Sequence, residues 1–173
     1  MFFKIGGGLL VLVSSTVLGW VKGSTYINRV RQLEQLQLVL TLLETEIKYN
    51  QKMLPDIFFS VSRQLNPPLK DLFLETAKSL NNNQGQLFSE IWKKQLKKNK
   101  KKNALWENDI QIMKEWGSQI GRTSLAEQTN INDMTLEKLK FAQKKARKNA
   151  EKNVKLFRYG GFLLGFLLIV LFY

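Results

Sequence analysis

The 173-residue chain has no cysteine and no histidine. The first absence excludes disulfides, thiol nucleophiles and cysteine-based zinc sites. The second removes the general base of serine and cysteine hydrolases and the commonest metal ligand. Period-two alternation of apolar and polar residues is also missing over any useful length, which argues against strands. Acids are few, 14 Asp and Glu against 27 Lys and Arg, giving a formal charge of +13. Carboxylate or lysine chemistry survives these exclusions, but it would need a pocket that nothing in the sequence advertises. The composition points to a non-enzymatic chain with no catalytic residue, cofactor or metal, and its length suits about one domain.

What is present is sharply partitioned. All 14 acids and 26 of the 27 bases lie between Lys22 and Arg158, and Lys4 is the exception. Ile5 to Val21 is an uncharged run of 17 residues, and Tyr159 to Tyr173 is one of 15. A membrane-spanning helix needs roughly 20 apolar residues, with about 17 as the lower limit. Residues 2–21 meet that limit. Residues 159–173 approach it if Leu156 and Phe157 add a turn while Arg158 snorkels toward the headgroups. Gly19-Trp20-Val21-Lys22 offers no small-x-small cleavage site, so the first segment reads as a retained anchor. Bases crowd the inner ends of both segments, and the positive-inside rule puts residues 22–158 in the cytoplasm. The expected protein is all-α: a cytoplasmic antiparallel bundle of about six helices between two transmembrane anchors.

Helical spacing recurs along the middle segment. Leu33, Leu36, Leu40, Leu43 and Ile47 form a stripe on a helix that only Gly23 separates from the first anchor. Pro55 suits the first turn of a second helix, with Ile57, Phe58, Val61 and Leu65 inward. Asn66-Pro67-Pro68 starts a third, lined by Leu69, Leu72, Phe73, Thr76 and Leu80, which ends in the polar loop Asn81 to Gly85. Leu87, Phe88, Ile91, Trp92 and Leu96 anchor a fourth. Leu105, Trp106, Ile110, Met113, Trp116 and Ile120 build a fifth. Ser124 and Glu127 fit a capping box opening a long last helix that bears Ile131, Met134, Leu139, Ala142, Ala146, Ala150 and Phe157. Its small residues and dense bases read as a solvated connector leading into the second anchor.

Several features invite more than one reading. Lys93, Lys94, Lys97, Lys98, Lys100, Lys101 and Lys102 form a run that is a solvated face, a contact for an anionic lipid surface or acidic partner, or a nucleic-acid contact. No recognised nucleic-acid motif accompanies it. Gly6-Gly7-Gly8 lacks the Gly-Lys-Ser/Thr of a phosphate loop. With Gly160, Gly161 and Gly165, these residues suit close helix packing or the ordinary tolerance of glycine in membrane helices. Glu44, Glu46 and Tyr49 read as a solvated helix surface or as a carboxylate site. Gly117 and Gly121 read as a helix stop or as a close crossing of backbones.

The order of these features resembles a family, the stage III sporulation protein AB proteins of endospore-forming bacteria. The likeness runs through Leu43-Glu44-Thr45-Glu46-Ile47-Lys48-Tyr49, then Leu54-Pro55, Leu72-Phe73 and Trp92. It continues in Gly117-Ser118-Gln119-Ile120-Gly121 with Gln128 beyond, and closes on the glycine-rich C-terminal segment. The family pattern Gly-x-x-Leu-Gly-x-x-Asp is altered here, with Ile120 for the Leu and Ser124 for the Asp. The resemblance implies a mother-cell protein in the outer forespore membrane, a scaffold or adaptor of the sporulation channel similar to secretion-platform proteins. It also implies other stage III sporulation proteins as partners, above all a cytoplasmic ATPase, together with membrane lipid and no small-molecule substrate. Glu44, Glu46, Tyr49, Gly117, Gly121 and Gln128 become the structural and contact residues. The rival reading is a basic, membrane-tethered nucleic-acid-binding module.

Overall fold

Between Phe2 and Thr45 the chain has no proline and no polar turn, and Gly23 does not suffice to break it. The computed structural model describes residues 2–50, 52–82, 85–120 and 125–172, with side chains at 7–48, 52–82, 85–120 and 127–171. The first stretch is one helix, α1 (Phe2–Thr45), closed by a π turn at Glu46–Asn50. Then follow α2 (Leu54–Ser62), α3 (Leu69–Asn82), α4 (Phe88–Asn99), a 3-10 turn at Lys100–Lys102, α5 (Glu107–Gln119) and α6 (Leu125–Phe172). The described residues thus form six helices and no strand, an all-α bundle in which each end helix is also a long apolar one. The proposed cap at Ser124 lies outside the described residues.

Local sequence explains the boundaries. Pro55 sits in the first turn of α2, where its missing N–H costs nothing. The Asn66 main chain joins α2 to α3: its carbonyl accepts from the Lys70 N–H at 3.1 Å, and its N–H donates to Gln35 Oε1 at 3.0 Å. Gly85 takes φ +108°, a conformation that favours glycine, just before α4 begins. The Asp109 carboxylate accepts the Trp106 N–H at 2.9 Å and fixes the start of α5. Trp106 is therefore the N-cap and not a member of the helix. Its extended backbone turns the ring off the helix stripe, leaving it 47% exposed. Leu87, in the same position before α4, is exposed for the same reason. On α6, Ile131, Leu139 and Ala146 are buried as their spacing requires, whereas Met134 is exposed.

The chain divides into two packed units, Met1–Val30 with Lys144–Tyr173, and Arg31–Gln143. The second is built around rings. Phe58, Phe73, Phe88, Trp92 and Trp116, from α2, α3, α4 and α5, lie with centroids 5.2–6.4 Å apart. Aromatic pairs in such tilted and edge-on arrangements contribute about 0.5–1.5 kcal/mol beyond their buried area. Leu33, Leu36, Leu40 and Leu43 close the α1 side, each at most 1% exposed. The Trp92 Nε1–H donates to the Met113 carbonyl at 2.7 Å, so the indole lies against the backbone of α5. Gly117, one turn further along α5, leaves the space for it: a Cβ there would overlap the indole ring. Gly117 thus belongs to a close approach and lies within α5, not at its stop.

The first unit is an antiparallel pair of helix segments zipped by small residues. A Cβ on Gly8 would touch Ile169, and one on Gly23 would touch Val154, both at ordinary contact distance. Between these ends the backbones come closer. A Cβ on Gly161 would fall 2.7 Å from the Ser15 carbonyl and 3.0 Å from the Gly19 Cα, and one on Gly165 would overlap the Ser15 hydroxyl. Gly19 is crowded in return by the Phe157 carbonyl. Gly7 and Gly160 would meet nothing within 4 Å, so they take no part in the seam. Outward-facing side chains are apolar and open: Leu10 is 69% exposed and Leu171 is 71%.

Two outcomes follow from this packing. Gly117→Ala should cost about 1–3 kcal/mol, the usual range for overpacking a core, in urea unfolding of the detergent-solubilised chain followed by tryptophan emission. Gly160→Ala should leave the same curve in place. In a chain otherwise free of thiols, the double variant Gly23→Cys/Val154→Cys should also oxidise to an intramolecular disulfide, read as a gel-mobility shift. Adding Gly161→Val should suppress that crosslink, and adding Gly160→Val should not.

Candidate partner-contact corner

The end of α1, the end of α5 and the start of α6 meet at one corner of the second unit. Leu43, Glu44, Ile47, Trp116, Ile120, Gln128, Thr129 and Asn132 surround a small cavity there, of about 10 Å³. That is roughly the space of a single water. The motif residues Glu44 and Gln128, 84 positions apart in sequence, are therefore neighbours, and both are partly exposed. Glu46 points elsewhere and pairs with Lys52 at 2.8 Å. Gly117 lies deeper, against Trp92, one residue from the Trp116 that floors the corner. The Tyr49 side chain and the whole of Gly121 lie outside the described residues.

A buried hydrogen-bond relay holds the corner together. The Trp116 Nε1–H donates to Asn132 Oδ1 at 2.9 Å, and the Asn132 Nδ2–H donates to the Leu40 carbonyl at 2.7 Å. One amide thus joins α5, α6 and α1, using its donor and acceptor ends at once. Sequence reasoning passed over Asn132. The available signal was a polar stripe in line with the apolar one: Gln128, Asn132, Thr135, Leu139, Gln143 and Ala146 recur at spacings of three and four. Gln143 continues the link between α6 and α1, donating to Glu34 at 2.8 Å and accepting from Gln37 at 3.1 Å.

The lysine run is ordered on α4 and the 3-10 turn, with all seven side chains outward. Asn99, in its midst, points inward and is fully buried. Lys98 pairs with Glu75 at 3.0 Å, and Lys100 pairs with Glu107. The Lys98 ammonium, helped by the Asn99 amide, holds the Glu75 carboxyl below the usual glutamate value against the opposing effect of burial. The Gln111 amide, and then Lys138, lower Glu115 in the same sense. These groups tie α3 to α4 and α5 to α6. Glu115 also lines an open surface cleft together with Glu90, Lys93 and Lys114.

This is an all-α protein with two helices long and apolar enough to cross a membrane. The chain belongs to the stage III sporulation protein AB family, whose model matches residues 4–173, and its role lies in sporulation. It is 28% identical over 168 residues to the stage III sporulation protein AB of Bacillus subtilis strain 168, covering 97% of this chain and 98% of that one. A solved structure of a stage III sporulation protein AB shares its fold, with a TM-score of 0.66 and 24% identity. That match covers 71% of this chain and 96% of the other.

Asn132→Ala should strand the Trp116 N–H, at about 1–3 kcal/mol, and lower the unfolding midpoint accordingly, while the Leu40 carbonyl keeps its intrahelical bond. Glu75 and Glu115 give a pH dependence of definite sign. A carboxyl with a depressed folded pKa adds stability above its unfolded value, about 4.3, and loses it as pH falls through the folded value. Glu75→Gln with Glu115→Gln should therefore reduce stability slightly at pH 7 and flatten its fall below about pH 4.3. The effect stays small because both pairs face solvent. Chemical denaturation between pH 2 and pH 7 measures it.

Proposed function

We propose that the chain is a non-enzymatic scaffold of the stage III sporulation channel complex, held in the membrane by residues 2–21 and 159–173. The observation that carries this reading is the glycine-zipped helix pair with apolar side chains on its outside. Such a surface is costly in water and ordinary in lipid, where small residues let backbones approach closely. Residues 22–158 then lie in the cytoplasm of the mother cell, because the bases flank both segments on that side. α1 and α6 each contribute to both packed units, so a load on the cytoplasmic helices is felt by the membrane pair. A partner able to apply such a load is the cytoplasmic ATPase of the same complex. Its contact is assigned to the corner bearing Glu44 and Gln128, with Glu46, Tyr49 and Gly121 in the neighbouring sequence.

The nucleic-acid alternative rests on the lysine run, and two of its seven cations are already paired within the protein. No mobility shift is expected with DNA or RNA at low salt, and a shift that weakens steeply with salt would favour that alternative.

Deletion of the gene should abolish or sharply reduce heat-resistant spores. A tagged chain should remain in membranes after carbonate extraction and should retain the ATPase on pull-down from sporulating cells. Glu44→Lys with Gln128→Lys should lose that retention while the chain stays folded. Normal spore counts in the deletion strain, or release by carbonate, would overturn the reading.

A further inference from the structure

The membrane helix pair carries an open groove of about 470 Å³ beside its seam. Leu18, Leu156, Phe157 and Leu164 form its walls, and Gly160 with Gly161 leaves its floor bare. The two glycines differ in kind. Gly161 is required by the approach of Gly19 and Ser15, whereas a side chain at Gly160 would meet nothing within 4 Å. Seam packing therefore does not account for the empty space over Gly160.

The polarity of the groove is one-ended. Successive turns of α1 contribute Ser15, Gly19 and Lys22, and those of α6 contribute Leu164, Gly160 and Asn153 in the antiparallel sense. Lys22 and Asn153 thus share one end, and Lys22 is the only charged residue in the lining. Asn153 donates to the Asn149 carbonyl at 2.8 Å, which holds its amide against its own helix. An apolar slot ending in a single cation matches an amphiphile with a hydrocarbon tail and an anionic head. A third helix, about 10 Å wide, would instead cover Lys22 without supplying a counter-charge. Basic groups at the cytoplasmic ends of membrane helices are where anionic headgroups are held.

We infer that this groove seats one acyl chain of an anionic phospholipid, with the headgroup phosphate on the Lys22 ammonium. The inference rests on the proposed membrane insertion of this helix pair and adds a specific lipid to it. One lysine near an anionic headgroup layer supports a preference of about fivefold over a zwitterionic lipid.

The test uses the full chain in nanodiscs of phosphatidylcholine mixed with phosphatidylglycerol, with retained lipid counted by native mass spectrometry. The unaltered chain should keep one phosphatidylglycerol in about fivefold preference. Lys22→Gln should bring the ratio to unity. Gly160→Leu should displace the retained lipid while the Gly23→Cys/Val154→Cys disulfide still forms, showing the pair intact. An inserted chain with no preference, a Lys22→Gln variant that keeps it, or a Gly160→Leu variant that still retains lipid would overturn the lipid site alone. Capture of a polypeptide by a photocrosslinker at position 160 would do the same in favour of a helix or a second copy. A chain that fails to enter the nanodisc would overturn both the site and the membrane reading beneath it.

Discussion

The seat of Trp92 on Gly117 is the contact on which the second unit depends. An indole is among the largest side chains, and here it lies against a helix backbone where only a hydrogen atom leaves room. Its N–H is satisfied by a carbonyl of that same helix, so the ring is fixed in depth as well as in plane. Phe58, Phe73, Phe88 and Trp116 then pack around a fixed object. Trp116, held in turn, presents its N–H to Asn132 and through it engages α6 and α1. The order of dependence runs from a missing methyl group, through two indoles, to an amide that unites three helices.

Close approach through glycine recurs in the first unit with a different partner. In the second unit glycine admits a large ring, and in the first it admits another backbone. The difference suits the two solvents proposed for them. In water, burying aromatic area is itself a driving force. In lipid that force is lost between apolar surfaces, and intimate contact between backbones takes its place.

Much of this was legible in the residues. The stripe Leu33, Leu36, Leu40, Leu43 and the inward faces of α2 to α5 followed from spacing alone, and they are buried where spacing put them. The continuity of α1 through Gly23 followed from the lack of any other breaker. Misplaced residues were those whose environment is set at a helix boundary. Trp106 and Leu87 continue the apolar count by one step, but an N-cap's extended backbone turns the side chain out of register. Asn132 was legible only as a member of an inward stripe, since its partners Trp116 and Leu40 are brought to it by the fold alone. The nearness of Glu44 and Gln128 was likewise invisible to local pattern. Family resemblance singled out both residues, and the antiparallel return of α6 makes them neighbours.

The run from Lys93 to Lys102 has one more consequence. The unit from Arg31 to Gln143 holds 17 bases and 13 acids, and without those seven lysines it would hold ten bases and carry a charge of −3. Its positive character is thus confined to one helix face and the turn that follows, while the remainder is mildly acidic. A body charged in this way is an electric dipole. In the field of an anionic neighbour it experiences a torque that grows as the two approach and fades with added salt. Rotation of the bundle into a preferred orientation would precede touch, so the lysines can govern how an encounter begins without lying in the final interface.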